Sequence, residues 1–165
     1  MMDEARIRLL QRMPIFGGIR EDILELLLSL SPIVSVSKGE FFFHENDEAD
    51  SMFVLEEGRV AVLKLWQGQQ YLLRNLEKGD CFGEMALMDL FPRSASIIAM
   101  EDCTAIQLST TSLYRVYEKN LEQFAVIQMN MGREVSRRLR ELDERLFRAK
   151  MGDPVVDADY ISHFT

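Results

Sequence analysis

Between residues 33 and 108 the chain contains seven short runs that are rich in β-branched and aromatic residues. The runs cover residues 33–36, 41–44, 52–55, 60–63, 71–73, 95–98 and 104–108. Turn-forming residues fill the gaps, as at Lys38-Gly39 and Glu57-Gly58, where Gly58 is expected to adopt a positive φ. Strands that recur every ~8–12 residues with such signals between them predict an antiparallel sandwich or barrel.

Helical patterns flank this β-rich region on both sides. Apolar spacing predicts two helices before it, over residues 3–13 and 20–30, with a break at residues 14–18. After it, Thr110 or Thr111 is the expected N-cap of a further short helix. The predicted organisation is one domain with a helical lead-in (1–32), a β-roll (33–109), C-terminal helices (110–151) and an acidic tail (152–165).

One segment inside the β-rich region combines the features of a ribose-phosphate site. Gly83 has no Cβ, so the backbone can approach a ligand, and the amides from Gly83 to Ala86 open a helical turn that suits a phosphate. Arg93 can hold a phosphate by two hydrogen bonds, and Glu84 can accept from sugar hydroxyls. An arginine near a glutamate is more often a surface pair worth under ~1 kcal/mol. The spacing of the whole segment therefore decides the interpretation.

That spacing resembles a known family. Residues 82–87 (Phe-Gly-Glu-Met-Ala-Leu) followed by residues 92–95 (Pro-Arg-Ser-Ala) are similar to the phosphate-binding cassette of cyclic nucleotide-binding domains. Such domains occur in regulatory subunits of the cAMP-dependent protein kinase and in the bacterial catabolite activator. The resemblance implies a mainly β fold with flanking helices. We therefore expect an eight-stranded antiparallel β-roll (jelly-roll) with N-terminal helices and a long C-terminal helix.

The resemblance also implies roles for the central cassette residues. Gly83 and Ala86 would donate backbone N–H groups to the cyclic phosphate, and Arg93 would pair with its oxygens. Glu84 would bind the ribose 2′-hydroxyl. Because both charged residues are present, we expect a site that is competent to bind. The family often has Glu-Gly-Asp where this chain has residues 45–47 (Glu-Asn-Asp), and asparagine tolerates the left-handed backbone such a loop needs.

The remaining cassette residues bear on the nucleotide base. Phe82 and Leu73 are candidate apolar walls near the base, although either could belong simply to the core. Met85 lies inside the cassette, and Ser94 and Ala95 follow the arginine. The bacterial activator has the same Arg-Ser-Ala order and responds to cAMP, whereas cGMP-selective relatives place threonine after the arginine. We therefore expect cAMP, with a cGMP-selective sensor as the alternative.

The long run from residue 121 to about 151 predicts a helix whose apolar stripe exceeds what the β-roll can cover. About thirty residues of helix span ~45 Å. Pairing of two such helices over residues 121–150, as in the bacterial activator dimer, would bury the stripe and make a homodimer. The alternative is a helix folded back on its own domain. The stripe consists of Phe124, Ile127, Met131, Val135, Leu139, Leu142 and Leu146.

Arginines on this helix alternate with acidic residues. The four-residue spacings favour ordinary ion pairs on a solvated face, for which the candidates are Glu134–Arg138, Glu141–Arg145 and Glu144–Arg148. In the family, the helix after the roll closes over the base. The resemblance therefore makes Arg137 or Arg138 a possible lid residue that contacts the purine.

Composition limits the partners. The 165 residues include 19 basic and 27 acidic side chains, for a net charge of −8, which argues against nucleic acid or an acidic membrane surface. No apolar run approaches the ~18 residues of a membrane span, and the start does not resemble a signal peptide. Cys81 and Cys103 suggest neither a disulfide scaffold nor a metal site, so we expect a cytoplasmic protein without a cofactor. Few residues follow the long helix, so we expect no DNA partner.

Three classes of function follow. The favoured one is a regulatory module that binds a cyclic nucleotide and relays binding through its C-terminal helix to an unknown downstream protein or a dimer interface. The alternative is a ligand-free β-roll that serves as an interaction or dimerisation domain. An enzyme such as a phosphodiesterase is not expected, because metal-assisted hydrolysis needs His and Asp ligands and the only histidines are His44 and His163.

Overall fold

A computed structural model describes residues 2–152 and 162–163 of the chain. The helices are α1 (Met2–Gln11), α2 (Glu21–Ser29), α3 (Ala86–Asp89), α4 (Thr110–Lys119) and α5 (Leu121–Lys150), with a 3-10 turn at Pro14–Phe16. The strands are β1 (Ile33–Val36), β2 (Phe41–Phe43), β3 (Ser51–Glu57), β4 (Arg59–Trp66), β5 (Gln69–Glu77), β6 (Cys81–Phe82), β7 (Ser96–Ala99), β8 (Cys103–Ser109) and β9 (Ser162–His163).

The strands form two antiparallel sheets, in the orders β1-β8-β3-β6 and β2-β7-β4-β5-β9. The predicted eight-stranded β-roll with flanking helices is confirmed by β1 to β8. The seven runs seen in the sequence omitted β6, which is only two residues long and pairs with Phe53 and Val54. The ninth strand, β9, lies in the predicted acidic tail and pairs with Tyr71 and Leu72 of β5.

Phenylalanine rings fill the space between the sheets where β6 ends. The rings of Phe53 and Phe82 stack with centroids 5.4 Å apart, and Phe42 contacts both edge-on at 5.5 and 5.0 Å. Phe82 is 2% exposed. Because Phe82 is fixed in this core, the following residue, Gly83, is held at the end of the sheet.

The first half of α5 is fastened to the N-terminal turn. The amide of Asn130 donates to the carbonyls of Ile15 and Gly17 at 3.2 and 2.8 Å, and the backbone N–H of Arg20 donates to Gln123 at 2.7 Å. Both side chains are buried. These bonds satisfy carbonyl and amide groups that the turn leaves unpaired, so they set the direction in which α5 leaves the domain.

The apolar stripe of α5 divides into a buried and an exposed half. Ile127 and Met131 are 1% and 2% exposed, whereas Leu139, Leu142 and Leu146 are 58%, 49% and 57% exposed. The predicted long helix is therefore confirmed, and its second half extends beyond the surface that its own domain covers.

Polar side chains fix the start of both C-terminal helices. Ser109 caps α4 in a reciprocal arrangement with Ser112, so the prediction of Thr110 or Thr111 as the cap was wrong. Both threonines lie inside the helix because β8 ends one residue earlier. The side chain of Asn120 accepts from the backbone N–H of Gln123 at 3.0 Å and caps α5. No helix in the described part of the chain is long and apolar enough to cross a membrane.

Candidate functional site

A cleft of ≈ 240 Å³ opens beside the cassette. Its walls come from the cassette itself, from β5 through Arg74 and from α5 through Arg138. The second sheet closes its floor with Val62 and Ile97. The predicted cassette residues therefore meet in one concave site, together with one residue of the long helix.

Gly83 allows the cassette backbone to pass close to Arg93. Its φ is +77°, and a Cβ at this position would lie 2.5 Å from Nη1 of Arg93. No hydrogen-bond acceptor among the described residues takes the amides of Gly83, Glu84 and Met85, whereas the N–H of Ala86 donates to the Gly83 carbonyl at 3.2 Å. The turn thus presents free amide donors, although the Ala86 donor expected to face the ligand already has a long internal bond.

Arg93 is a buried cation without a carboxylate partner in the described part of the chain. The residue is 7% exposed, and Nε makes no hydrogen bond. Nη1 donates to the Gly83 carbonyl at 3.3 Å, and Nη2 donates to Ser51 at 3.4 Å, so both bonds are long. The guanidinium lies 4.0 Å from the ring centre of Phe43. A buried charge held this loosely is costly unless an anion completes its coordination.

The loop between β2 and β3 holds the backbone of Arg93. The N–H of Arg93 donates to the Asp47 carbonyl at 2.9 Å, and the N–H of Asn46 donates to the Arg93 carbonyl at 2.8 Å. Asn46 has φ +74°, as expected for the Glu-Asn-Asp variant of this loop. Burial lowers the pKa of Arg93, and the carboxylates of Asp50 and Asp47 act against that shift. An arginine does not lose its proton in a protein, so the guanidinium stays charged, and the two backbone bonds fix the position from which the side chain extends.

Glu84 contacts α5 rather than solvent. It is 5% exposed, and Nη1 of Arg138 contacts its Oε1. Nε of Arg138 also lies 3.5 Å from Oε1 of Glu134 on the same helix. Of the two possible lid residues, Arg138 thus reaches the cleft. Arg137 does not line the cleft: its guanidinium lies 2.5 Å from both Glu134 and Glu141, and the hydrogen bond to Glu134 chiefly raises its pKa.

Arg74 lines the cleft, and Leu73 does not. In the pairing of β4 with β5, Val62 faces Arg74 and Leu63 faces Leu72, so Leu73 is the extra residue of a β-bulge. Leu73 is 38% exposed, which gives no support to the expected apolar wall. Sequence reasoning missed Arg74, because a bulge that shifts the two-residue alternation leaves no reliable signal in a single sequence.

The charge of Arg74 is not matched by an ion pair or hydrogen bond within the described residues. Much of the residue is accessible to solvent, yet desolvation lowers the pKa of its guanidinium, and Arg138 lowers it further. The carboxylates near Arg93 are different residues, Asp47 and Asp50. The cleft therefore has two separate unpaired cations, Arg93 in the cassette and Arg74 on the side of Arg138.

The other predicted site residues lie around the mouth of the cleft. Ser94 and Ala95 line it, and the Ser94 carbonyl accepts from Lys64 at 2.5 Å, while no described hydrogen bond involves the Ser94 hydroxyl. Met85 is 52% exposed at the rim. Phe82 packs in the core and also lines the cleft, and a contact with the base stays a prediction.

A second and larger groove, of ≈ 490 Å³, lies between α1 and α2. Its lining includes Asp3, Glu4, Glu21 and Glu25, and such a concentration of carboxylates repels a phosphate. Within residues 2–152 no group of three His, Cys, Asp or Glu side chains is arranged to hold a metal ion. The cassette cleft is therefore the better candidate for an anionic ligand despite its smaller volume.

Known proteins are similar to this chain in sequence and in fold. Residues 33–120 match the family model described as the cyclic nucleotide-binding domain. The cyclic AMP receptor protein of Thermus thermophilus is 29% identical over 134 residues, which are 81% of this chain and 60% of that protein. The cGMP-dependent protein kinase 2 of Mus musculus is 32% identical over 105 residues, which are 62% of this chain and 14% of the kinase.

Solved structures share the fold of this chain. The crystal structure of the Thermus thermophilus catabolite activator protein superposes with a TM-score of 0.73 at 27% identity, covering 84% of this chain and 63% of that one. A cyclic nucleotide-binding domain from Methylobacillus flagellatus has a TM-score of 0.77 at 21% identity, covering 88% and 83%. The chain spans at most 60% of the length of the two curated relatives described above. Because the family model covers more than half of the chain, this protein belongs to the cyclic nucleotide-binding domain family.

Proposed function

We propose that the cassette cleft binds a 3′,5′-cyclic nucleotide and that the chain acts as a sensor of this ligand. The observation that carries the proposal is Arg93, a buried guanidinium with long hydrogen bonds and a free Nε. A cyclic phosphate bears one negative charge, which would neutralise this cation. The unpaired amides of Gly83, Glu84 and Met85 supply further donors on the same side.

Glu84 suits the ribose of the same ligand. It follows directly after Gly83, so a phosphate bound to the cassette amides would bring a ribose hydroxyl within reach of the carboxylate. An ionised carboxylate only accepts hydrogen bonds, and a 2′-hydroxyl can donate one. Met85, Ala86, Ser94 and Ala95 would then surround the phosphate, and Phe82 would form the apolar side of the cleft.

Two residues of the cleft favour different nucleotide bases. Ser94 after the arginine supported cAMP, yet Arg74 favours a guanine base. An arginine can donate to both O6 and N7 of guanine, whereas the same edge of adenine offers only N7 as an acceptor beside a donor amino group. Relatives of this chain are named for cAMP and for cGMP, so similarity does not decide between them. We therefore propose a cGMP-binding site as the second candidate.

The role that we propose is regulatory rather than enzymatic. The lining of the cleft contains no histidine and no cysteine, and its charged side chains are three arginines with Glu84 and Asp89. The signal would pass from the cassette to α5, whose exposed leucines favour pairing with α5 of a second copy or with an unknown downstream protein. On this proposal the lead-in comprises residues 1–32, the sensor comprises residues 33–109 and the relay comprises residues 110–151. The two free cysteines fit a reducing, cytoplasmic compartment.

Isothermal titration of nucleotide-free protein with cAMP and with cGMP tests the proposal. We expect saturable binding of at least one nucleotide. Arg74→Gln should weaken cGMP by about 10-fold, because a bidentate contact to guanine is worth ~1–3 kcal/mol, and should change cAMP much less. Lys78→Gln, also on the β5 side but outside the cleft, is the matched control. Absence of binding by both nucleotides would overturn the proposed function, and equal losses for both in Arg74→Gln would overturn the guanine assignment.

A further inference from the structure

Five charged side chains form a continuous series from the cassette to the exposed half of α5. Their order is Glu84, Arg138, Glu134, Arg137 and Glu141, with alternating sign. Glu84 and Glu134 are 5% and 9% exposed, and the last member is exposed. Arg138 is therefore shared between two buried carboxylates, one on the roll and one on its own helix.

The position of Arg138 conflicts with an occupied site. The cleft volume of ≈ 240 Å³ lies below the ~300–1,000 Å³ of formed small-molecule sites. The other lining residues belong to the cassette region and strands of the roll, whereas Arg138 lies on a helix and has a long, flexible side chain. It also contacts Glu84, the carboxylate that a ribose hydroxyl would need.

We infer that Arg138 is a latch that competes with the ligand for Glu84, and that Glu134 is the positioning residue that receives Arg138 when the ligand binds. This inference rests on the proposed function. In the empty protein Arg138 ties α5 to the cassette. A ribose 2′-hydroxyl that donates to Oε1 of Glu84 needs the space that Nη1 of Arg138 occupies in this small cleft. Arg138 then moves fully onto Glu134, which it already approaches at 3.5 Å.

The neighbouring groups support this direction of movement. Cys81 and Arg74 also lie near Arg138, and neither of them offers it a competing negative charge while the thiol is protonated. Glu134 is held in place from its other side by Arg137, at 3.2 Å from Nε and 2.5 Å from Nη2. A carboxylate has room for both arginines, since its two oxygens provide about four accepting sites.

Replacing Arg138 tests whether its contact with Glu84 opposes nucleotide binding. Arg138→Met keeps the length of the side chain without its charge, and we expect it to bind the preferred nucleotide about fivefold tighter or more, the lower end of typical coupling between sites. If Arg138 were instead a lid residue that contacts the base, Arg138→Met would bind the nucleotide more weakly than the wild-type protein. Arg148→Met is the matched control, because Arg148 forms the same four-residue pair with Glu144 away from the cleft.

Glu134→Gln tests the positioning role. Glutamine has the same shape without the charge, so Arg138 should stay on Glu84 and the affinity should fall about fivefold or more, whereas Glu144→Gln should leave it unchanged. Hydrogen exchange of the amides over residues 134–142 gives a second readout. It should rise when the ribose nucleotide binds and stay constant with its 2′-deoxy analogue at saturation.

The outcomes separate the latch from the proposed function. Weaker or equal binding by Arg138→Met, in a wild-type protein that binds nucleotide, would overturn the latch and leave the sensor in place. The positioning role would be overturned if Glu134→Gln bound the nucleotide as tightly as the wild-type protein. It would also be overturned if hydrogen exchange were equal with the ribose nucleotide and with its 2′-deoxy analogue. If neither the wild-type protein nor Arg138→Met binds any cyclic nucleotide, the proposed function itself fails.

Discussion

A methyl group on Gly83 would lie 2.5 Å from Nη1 of Arg93, so the glycine and the guanidinium occupy adjoining space that no side chain can enter. Replacing Gly83 by alanine should therefore displace Arg93 from the cleft. We expect Gly83→Ala to weaken nucleotide binding by about tenfold or more, which corresponds to one lost hydrogen bond to a charged group. Titration with the preferred nucleotide measures the change.

Gly79→Ala provides the matched control for that experiment. Gly79 has φ +92°, so alanine there causes similar backbone strain, of ~1–2 kcal/mol, but its Cβ meets nothing within 4 Å. Both variants should lose stability, and only Gly83→Ala should lose affinity. Equal affinities in the two variants would show that the contact with Arg93 does not matter for binding.

Asn130 should contribute more to stability than an average polar residue. Asn130→Leu would leave the carbonyls of Ile15 and Gly17 without their donor in a buried position, at a cost of about 2–4 kcal/mol. Urea unfolding measures the loss. Asn75→Leu, at an exposed strand position, should change the free energy of unfolding by less than about 1 kcal/mol. A loss of similar size in both variants would contradict the fastening role of Asn130.

The exposed half of α5 should mediate self-association. Leu142 is 49% exposed in the single chain, and pairing of two helices would bury it. Leu142→Glu should raise the dimer dissociation constant by about tenfold or more, because a buried carboxylate is costly. Sedimentation velocity over a concentration series measures it. Leu65→Glu, at a 51% exposed position in the β4–β5 hairpin, is the control, and a monomeric wild-type protein would contradict the pairing.

Stability should fall at alkaline pH partly because of Cys81. Burial raises the pKa of this thiol above its ordinary value of 9.0, with Arg138 opposing the shift. Above that ordinary value the unfolded chain loses the proton while the folded chain keeps it, so stability decreases as pH rises toward the folded pKa. The free energy of unfolding, measured with urea, should decrease less between about pH 8 and pH 10 in Cys81→Ala than in the wild-type protein. The same pH dependence in both proteins would contradict this assignment.

The cassette could be predicted because its determinants are local. Gly83, Glu84 and Arg93 lie within one short segment, and their spacing alone indicates a turn, an anion cradle and a guanidinium. The hairpin glycine was equally accessible to sequence reasoning: Gly58 has φ +94°, and a Cβ there would meet Cys103 and the carbonyl of Asp102 at 2.6 Å.

The residues that were missed depend on contacts far apart in the sequence. Arg74 faces the cleft because the pairing of β4 with β5 skips Leu73, and no alternation pattern in β5 alone reveals this register. Four-residue spacing correctly predicted that Arg138 pairs with Glu134, yet it gave no sign of Glu84 on the other side of the guanidinium. That contact requires the direction of α5, which the bonds of Asn130 to the N-terminal turn determine.

The most direct test of the account compares the nucleotide affinity of the wild-type protein with that of Arg93→Leu. We predict saturable binding by the wild-type protein and a loss of about 100-fold in Arg93→Leu, since charge-assisted bonds to the phosphate contribute up to ~3 kcal/mol. Arg148→Leu, which removes an exposed arginine far from the cleft, should bind like the wild-type protein. Equal affinities for wild-type protein and Arg93→Leu, with both folded, would contradict the central claim that the cassette cleft is the nucleotide site.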